Sequence, residues 1–183
     1  MNVNRGKDFE GVIQETFGLA PNVSVDRLHD QTNGYLGSSN ICDYIVYKKP
    51  FQYYIECKAV HGNTLAIYGK DPKKAYGLIT NTQWEGLKEK AKIDGVLAGI
   101  MCWWVDKDVT KFIPIQLLDL HREGGAKSIR YDTEFAPLHF FETGLIVEPI
   151  TLKGRKKRVF FDYDINQFFR EAESLLRGDK YDL

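Results

Sequence analysis

What these 183 residues lack narrows the field first. They carry no excess of base: 25 Lys and Arg stand against 25 Asp and Glu, for a formal net charge of zero and a pI near 6.9. That excludes a protein gripping a polyanion through its whole-molecule field; such binding would have to come from a local patch. No apolar run approaches the roughly 20 residues that cross a bilayer. The opening MNVNRGKDFEG has no apolar signal core, so no membrane partner and a cytoplasmic place are expected. Cysteine is scarce. Three cysteines, an odd number without metal-ligand spacing, exclude a disulfide framework. The four histidines are scattered, and no P-loop, dinucleotide fingerprint or Ser-centred elbow occurs.

What remains, at 43% hydrophobic and 27% charged, is the composition of a globular protein. The length suits one α/β domain over 1–183, with 178–183 as a frayed tail. Phe9, Val12, Ile13, Thr16 and Phe17 recur at helical spacing over Lys7–Phe17, with Asn4 as a plausible cap. A short strand is expected over Val23–Leu28, then a Gly-, Ser- and Asn-rich loop over His29–Asn40. His61–Tyr76 reads as irregular. Thr82-Gln83-Trp84-Glu85 fits a capping box opening a helix to about Lys92. Val96–Val105 is a continuous apolar run, as in a strand covered on both faces. Val109–Ile115 follows as a strand whose Pro114 suggests that its end lies at an edge, and Gln116–Arg122 as a short helix. Ile150–Leu152 and Arg158–Asp162 flank a basic KGRKK turn, and Ile165–Leu176 is a closing amphipathic helix.

The chemistry gathers in Ile41–Val60, ICDYIVYKKPFQYYIECKAV. Two strands rich in aromatic and β-branched residues, Ile41–Tyr47 and Phe51–Val60, are separated by Lys48-Lys49-Pro50. Alternation puts Glu56 and Lys58 on one face. If Lys48 opposes Phe51, then Asp43 opposes Glu56, about 5 Å apart at Cβ. Two carboxylates that close repel unless a cation lies between them, and hard oxygen ligands suit Mg²⁺. In this register Cys42 and Cys57 face each other on the opposite side; the geometry admits a bridge, but in a reducing cytosol two small buried hydrophobes are expected. The same three residues also fit a solvated strand face with an ordinary cross-strand ion network. On the residues alone both readings stand.

Asp43, with Glu56-Cys57-Lys58 thirteen residues on, resembles the motif of the PD-(D/E)XK nuclease superfamily. The opening Arg5-Gly6-Lys7-Asp8-Phe9-Glu10 and the Thr82-Gln83 helix start before an apolar strand are similar to RecU-type Holliday junction resolvases. These are also known as penicillin-binding protein-related factor A and occur in bacteria and phages. The resemblance covers roughly residues 5 to 120. It implies a restriction-endonuclease-like core, a central mixed β-sheet flanked by helices. It implies Asp43 and Glu56 as ligands of Mg²⁺, with Mn²⁺ substituting, and Glu10 completing the metal shell or holding a metal-bound water. Lys58 would orient or deprotonate the attacking water and stabilise the pentavalent phosphate, with Gln83 at the rim. Arg5 would contact phosphate, and Lys153, Arg155, Lys156, Lys157 and Arg158 would form a phosphate-contacting hairpin. The implied partners are four-way or branched DNA and a second copy of the chain, as a homodimer. The chain departs from the pattern in Cys42, where relatives have threonine, and in the short His29–Asn40, where they carry a longer basic insertion. Two alternatives accompany this reading: a restriction-like or repair nuclease on duplex DNA, and a non-catalytic DNA-binding recombination protein.

Overall fold

The computed structural model describes residues 5–28, 40–67, 78–136, 138–140, 145–156 and 161–178. The proposed cap Asn4, nearly all of the 29–40 loop, Lys157 and Arg158 lie outside these residues.

A six-stranded mixed sheet forms the centre. Its strands are β1 (Ser24–Arg27), β2 (Tyr44–Lys48), β3 (Phe51–Val60), β5 (Val96–Trp104), β6 (Val109–Pro114) and β10 (Ile150–Thr151), adjacent in that order. Only β3 and β5 run parallel; β1–β2, β2–β3, β5–β6 and β6–β10 are antiparallel. A parallel neighbour requires a crossover, and α2 (Asn81–Lys90) lies within it. All nine residues of β5 are buried, as its unbroken apolar run requires when both faces are covered.

Helices cover both faces. On one, α1 (Arg5–Gly18) and α4 (Ile165–Arg177) bring Phe9, Ile13, Phe17, Phe168 and Phe169 onto Tyr44, Tyr53, Ile55 and Trp103. On the other, α2 and α3 (Ile115–Glu123) bring Trp84, Leu87, Ile115 and Leu118 onto Tyr54, Ala98, Ile100 and Cys102. The expected architecture, a central mixed sheet flanked by helices, is the one observed. Two-stranded pairs complete the described elements: β4 (Thr64–Ala66) with β7 (Ser128–Arg130), β8 (Leu138–Phe140) with β9 (Leu145–Val147), and β11 (Gly154–Lys156) with β12 (Phe161–Tyr163).

The structure corrects several readings of the sequence. The segment after Val60 is not wholly irregular, because Thr64–Ala66 finds a distant partner in β7. The Pro114 end of β6 is open on one side, as the proline suggests, although β6 as a whole sits between β5 and β10. The proline is tolerated because it pairs with Gly99 and the β10 ladder stops at Phe112. A Cβ at Gly99 would fall 2.9 Å from Pro114 Cα, so only glycine admits this approach. The KGRKK turn is displaced: Ile150–Thr151 joins the main sheet, and Gly154–Lys156 is itself a strand.

The capping box of α2 lies two residues earlier than expected. Thr80 is the cap, its Oγ1 accepting from Gln83 N at 3.2 Å while Gln83 Oε1 accepts from Thr80 N at 2.9 Å. Thr80-x-x-Gln83 and Thr82-x-x-Glu85 fit the pattern equally well. Burial decides between them. With Thr80 as cap, Ile79 and Trp84 take the two positions of a hydrophobic staple, and both are buried in the same cluster. With Thr82 as cap, those positions would fall on Asn81 and Gly86, which cannot pack.

Candidate active site

The β2–β3 ladder has the register on which the cluster depends: Lys48 pairs with Phe51, Tyr47 with Gln52, Ile45 with Tyr54 and Tyr44 with Ile55. Asp43 lies one residue beyond the ladder. Its N–H donates to the Ile55 carbonyl at 3.1 Å, and its Oδ2 accepts from Cys57 N at 2.7 Å. The side chain therefore caps the strand end beside Glu56 instead of standing in a regular pair.

Leaving the ladder has a second consequence. Cys42 does not face Cys57: it packs with Tyr54 and Trp84 on the α2 side, while Cys57 packs with Phe9 and Ile55 on the α1 side. All three cysteines are buried thiols. Burial, reinforced by the charges of Glu56 and Asp43, pushes Cys42 up to about 12.

Glu56 is the centre of the cluster. It is 1% exposed, one of three buried polar or charged side chains among the described residues. Its Oε1 pairs with the Lys58 ammonium and accepts from Gln83 Nε2 at 2.6 Å. Its Oε2 is buried and has no hydrogen-bond partner among the described residues. Burial pushes this carboxyl up to about 7, Lys58 opposing the rise and Asp43 adding to it. Glu56 and Lys58 face the α2 side of the sheet with Tyr54, and Ile45 packs partly onto the same layer, as alternation requires.

Gln83 reaches the carboxylate by way of helix geometry. It is the third residue of α2, and the capping box takes both its backbone N–H and its side-chain oxygen. With Oε1 committed to Thr80 N, the amide can only turn Nε2 toward Glu56. The cap thus sets the polarity of the contact.

Glu10 arrives from the other layer. Phe9 and Ile13 pin α1 to the sheet, and Tyr44 Oη donates to the Glu10 carbonyl at 2.9 Å. Its carboxylate takes Arg27 Nη2 at 2.7 Å. Burial and then the Asp43 charge push Glu10 up; Arg27 and Lys58 pull it down. The acids of both layers therefore sense one field.

Arg27 was missed by sequence reasoning. The β1–β2 register places it opposite Tyr44, next to Asp43, but the long loop between the strands hid that pairing from the sequence. Arg5 stands at the start of α1, partly exposed. Of the basic residues after β10, Lys153 follows a strand that lies three places from β3 in the sheet, and Lys156 ends β11 in a separate two-stranded pair.

Among the described residues, no group of three or more His, Cys, Asp and Glu side chains is arranged to hold a metal ion. Mg²⁺ does not require such a cage, since it keeps several waters and binds through one or two carboxylates plus substrate phosphates. Asp43 and Glu56 are hard-oxygen donors of that kind, and Glu56 Oε2 is a buried acceptor without a hydrogen-bond partner among the described residues. The donor set fits.

No family model matches this chain, and no curated protein matches it. Among solved structures, it is similar to Hjc from Archaeoglobus fulgidus, a Holliday junction resolvase. The identity is 18%, over 61% of this chain and 78% of that one, with a TM-score of 0.43.

Proposed function

We propose that this protein is a metal-dependent DNA endonuclease whose centre comprises Asp43, Glu56 and Lys58, assisted by Glu10 and Gln83. The observation that carries the reading is Glu56: a fully buried carboxylate with one oxygen held by Lys58 and Gln83 and the other without a hydrogen-bond partner among the described residues. A carboxylate withdrawn from water without full compensation costs several kcal/mol. Such an arrangement suits a site completed by a cation better than a solvated strand face.

In this reading Asp43 and Glu56 would hold Mg²⁺, or Mn²⁺ in its place. A bound ion supplies Lewis-acid polarisation of a phosphate and a nucleophile at neutral pH. The remaining work falls to the chain. Lys58 places an ammonium where charge develops on the phosphate oxygens and orients the attacking water. Gln83 holds Glu56 in one rotamer, and Arg27 holds Glu10 toward the acids. Arg5 and the basic hairpin from Lys153 to Arg158 would contact the phosphate backbone.

The substrate proposed is branched DNA, with the RecU-type Holliday junction resolvases as the family. Two symmetric nicks need two sites, so the working form would be a homodimer. The experiment is Mg²⁺-dependent cleavage of synthetic four-way junctions beside linear duplex, with Asp43→Asn as the control. We expect paired nicks in junctions only, and loss of cleavage in Asp43→Asn with junction binding kept. A fully active Asp43→Asn chain would refute the site. Equal cutting of duplex would favour a restriction-like or repair nuclease, and binding without cutting a recombination scaffold.

A further inference from the structure

We propose that Gly86 of α2 is a positioning residue for Asp43: the bare helix surface at Gly86 sets how closely the Ile41–Asp43 segment lies against the site. Its catalytic consequence rests on the nuclease reading; its geometry does not.

Gly86 occupies the interior of a ten-residue helix. It is not among the residues with positive φ, so conformational freedom does not explain it. Glycine at such a position destabilises a helix by roughly 0.5–1 kcal/mol relative to alanine. Packing does explain it. A Cβ at Gly86 would fall 2.7 Å from Ile41 Cβ and nearer still to Ile41 Cγ2. Ile41 cannot rotate its Cβ away, because that atom is fixed to the backbone. A methyl group at Gly86 must therefore push the Ile41 main chain outward by roughly 1 Å to reach ordinary contact.

Asp43 is two residues further on, and Ile41–Asp43 lies outside the β2–β3 ladder. Asp43 is tied to β3 by its N–H to the Ile55 carbonyl and its Oδ2 to Cys57 N, and to the end of β1 by its carbonyl, which accepts from Leu28 N at 2.8 Å. A displacement at Ile41, two residues away along the backbone, bears directly on these contacts. One turn earlier on the same helix, Gln83 holds Glu56. Positions three apart share a helix face, so one face of α2 locates both carboxylates. The helix can serve as a fixed template because Thr80 caps it and Trp84 Nε1 donates to Asp119 of α3 at 2.8 Å.

The test uses the full chain. In Gly86→Ala we expect kcat for Mg²⁺-dependent junction cleavage to fall about a hundredfold, the usual cost of a misplacement near 1 Å, with KM for DNA unchanged. Independently of activity, the Cys57 amide proton, which donates to the Asp43 carboxylate, should lose its downfield NMR shift. Ile41→Gly combined with Gly86→Ala removes both clashing atoms and should restore the shift and kcat to those of Ile41→Gly alone. An unchanged Cys57 resonance and kcat in Gly86→Ala would overturn the proposal, as would a double variant that recovers neither. If Gly86→Ala does not fold, the double variant decides by the same two readouts. If the parent protein cleaves no DNA, the nuclease reading falls while the Cys57 amide still judges the role of Gly86.

Discussion

At Glu56, burial and charge pull against each other, and burial wins. The unfolded chain titrates this carboxyl near 4.5 and the folded one near 7. Between those values the folded state binds more protons, so stability fully present below about pH 4.5 is lost as pH rises through 7. The loss amounts to roughly 3 kcal/mol, because each pH unit separating the two titrations is worth about 1.4 kcal/mol. Glu56→Gln stays neutral and removes that slope. Without divalent ions, its urea unfolding free energy relative to the parent should climb by roughly 3 kcal/mol from about pH 4.5 to about pH 8. A difference that stays flat with pH would mean that Glu56 ionises as an exposed acid does. The shared face of Glu56 and Lys58 was legible at this scale because strand alternation suffices for it, whereas Asp43 lies one residue beyond the ladder and is placed by its bonds to Ile55 and Cys57. Arg27 was not legible, since its place beside Glu10 depends on strand β1 returning across a long loop.

Among the elements, α2 carries two duties, packing and aiming. Thr80→Ala removes the box that closes its first turn, at a cost of about 1 kcal/mol, and releases the Gln83 amide from its single orientation. We expect urea denaturation to register the loss, and cleavage to fall while DNA affinity holds. Equal loss of affinity and rate would make the cap purely structural. The basic hairpin belongs to this scale too. Arg155 and Lys156 lie on β11, paired with Asp162 and Phe161 of β12. Reversing charge at Lys153 and Lys156 should weaken DNA binding and reduce the slope of log K against log salt by about 0.9 for each lost phosphate contact. An unchanged slope by fluorescence anisotropy would return the hairpin to the status of a solvated ribbon. The sequence indicated a hairpin here, yet misplaced its turn. The apolar Ile150 could pair locally, but it is buried within the main sheet, where it pairs with Phe112 of β6.

Across the whole molecule, the two faces of the sheet have different work. The α1–α4 face is an aromatic core in which Phe168 meets Phe17, Tyr53, Phe112 and Phe169 at ring distances of 5.3 to 5.9 Å. Phe168 thereby joins α1, β3, β6 and α4. Phe168→Ala should cost about 3–5 kcal/mol, read as a lower thermal midpoint, while cleavage measured well below that midpoint stays near the parent rate. A large loss of rate in the folded variant would mean that this core also sets the site. The α2–α3 face carries Glu56 and Lys58, and charge enters the interior there.

The sequence by itself determined the local matters: the shared face of Glu56 and Lys58, the buried run of β5, and the amphipathic stripes of α1 and α4. Each depends on periodicity, which is written in consecutive residues, whereas the register of the β2–β3 hairpin was an assumption until the structure supplied it. Only the tertiary structure decided that Thr80 rather than Thr82 caps α2, that Cys42 and Cys57 point into opposite layers, that β4 pairs with β7, and that Arg27 holds Glu10. Those outcomes turn on which apolar surfaces can be buried together. Ile79 with Trp84 outcompetes the alternative cap because burial is worth more than the choice between two equivalent hydroxyls.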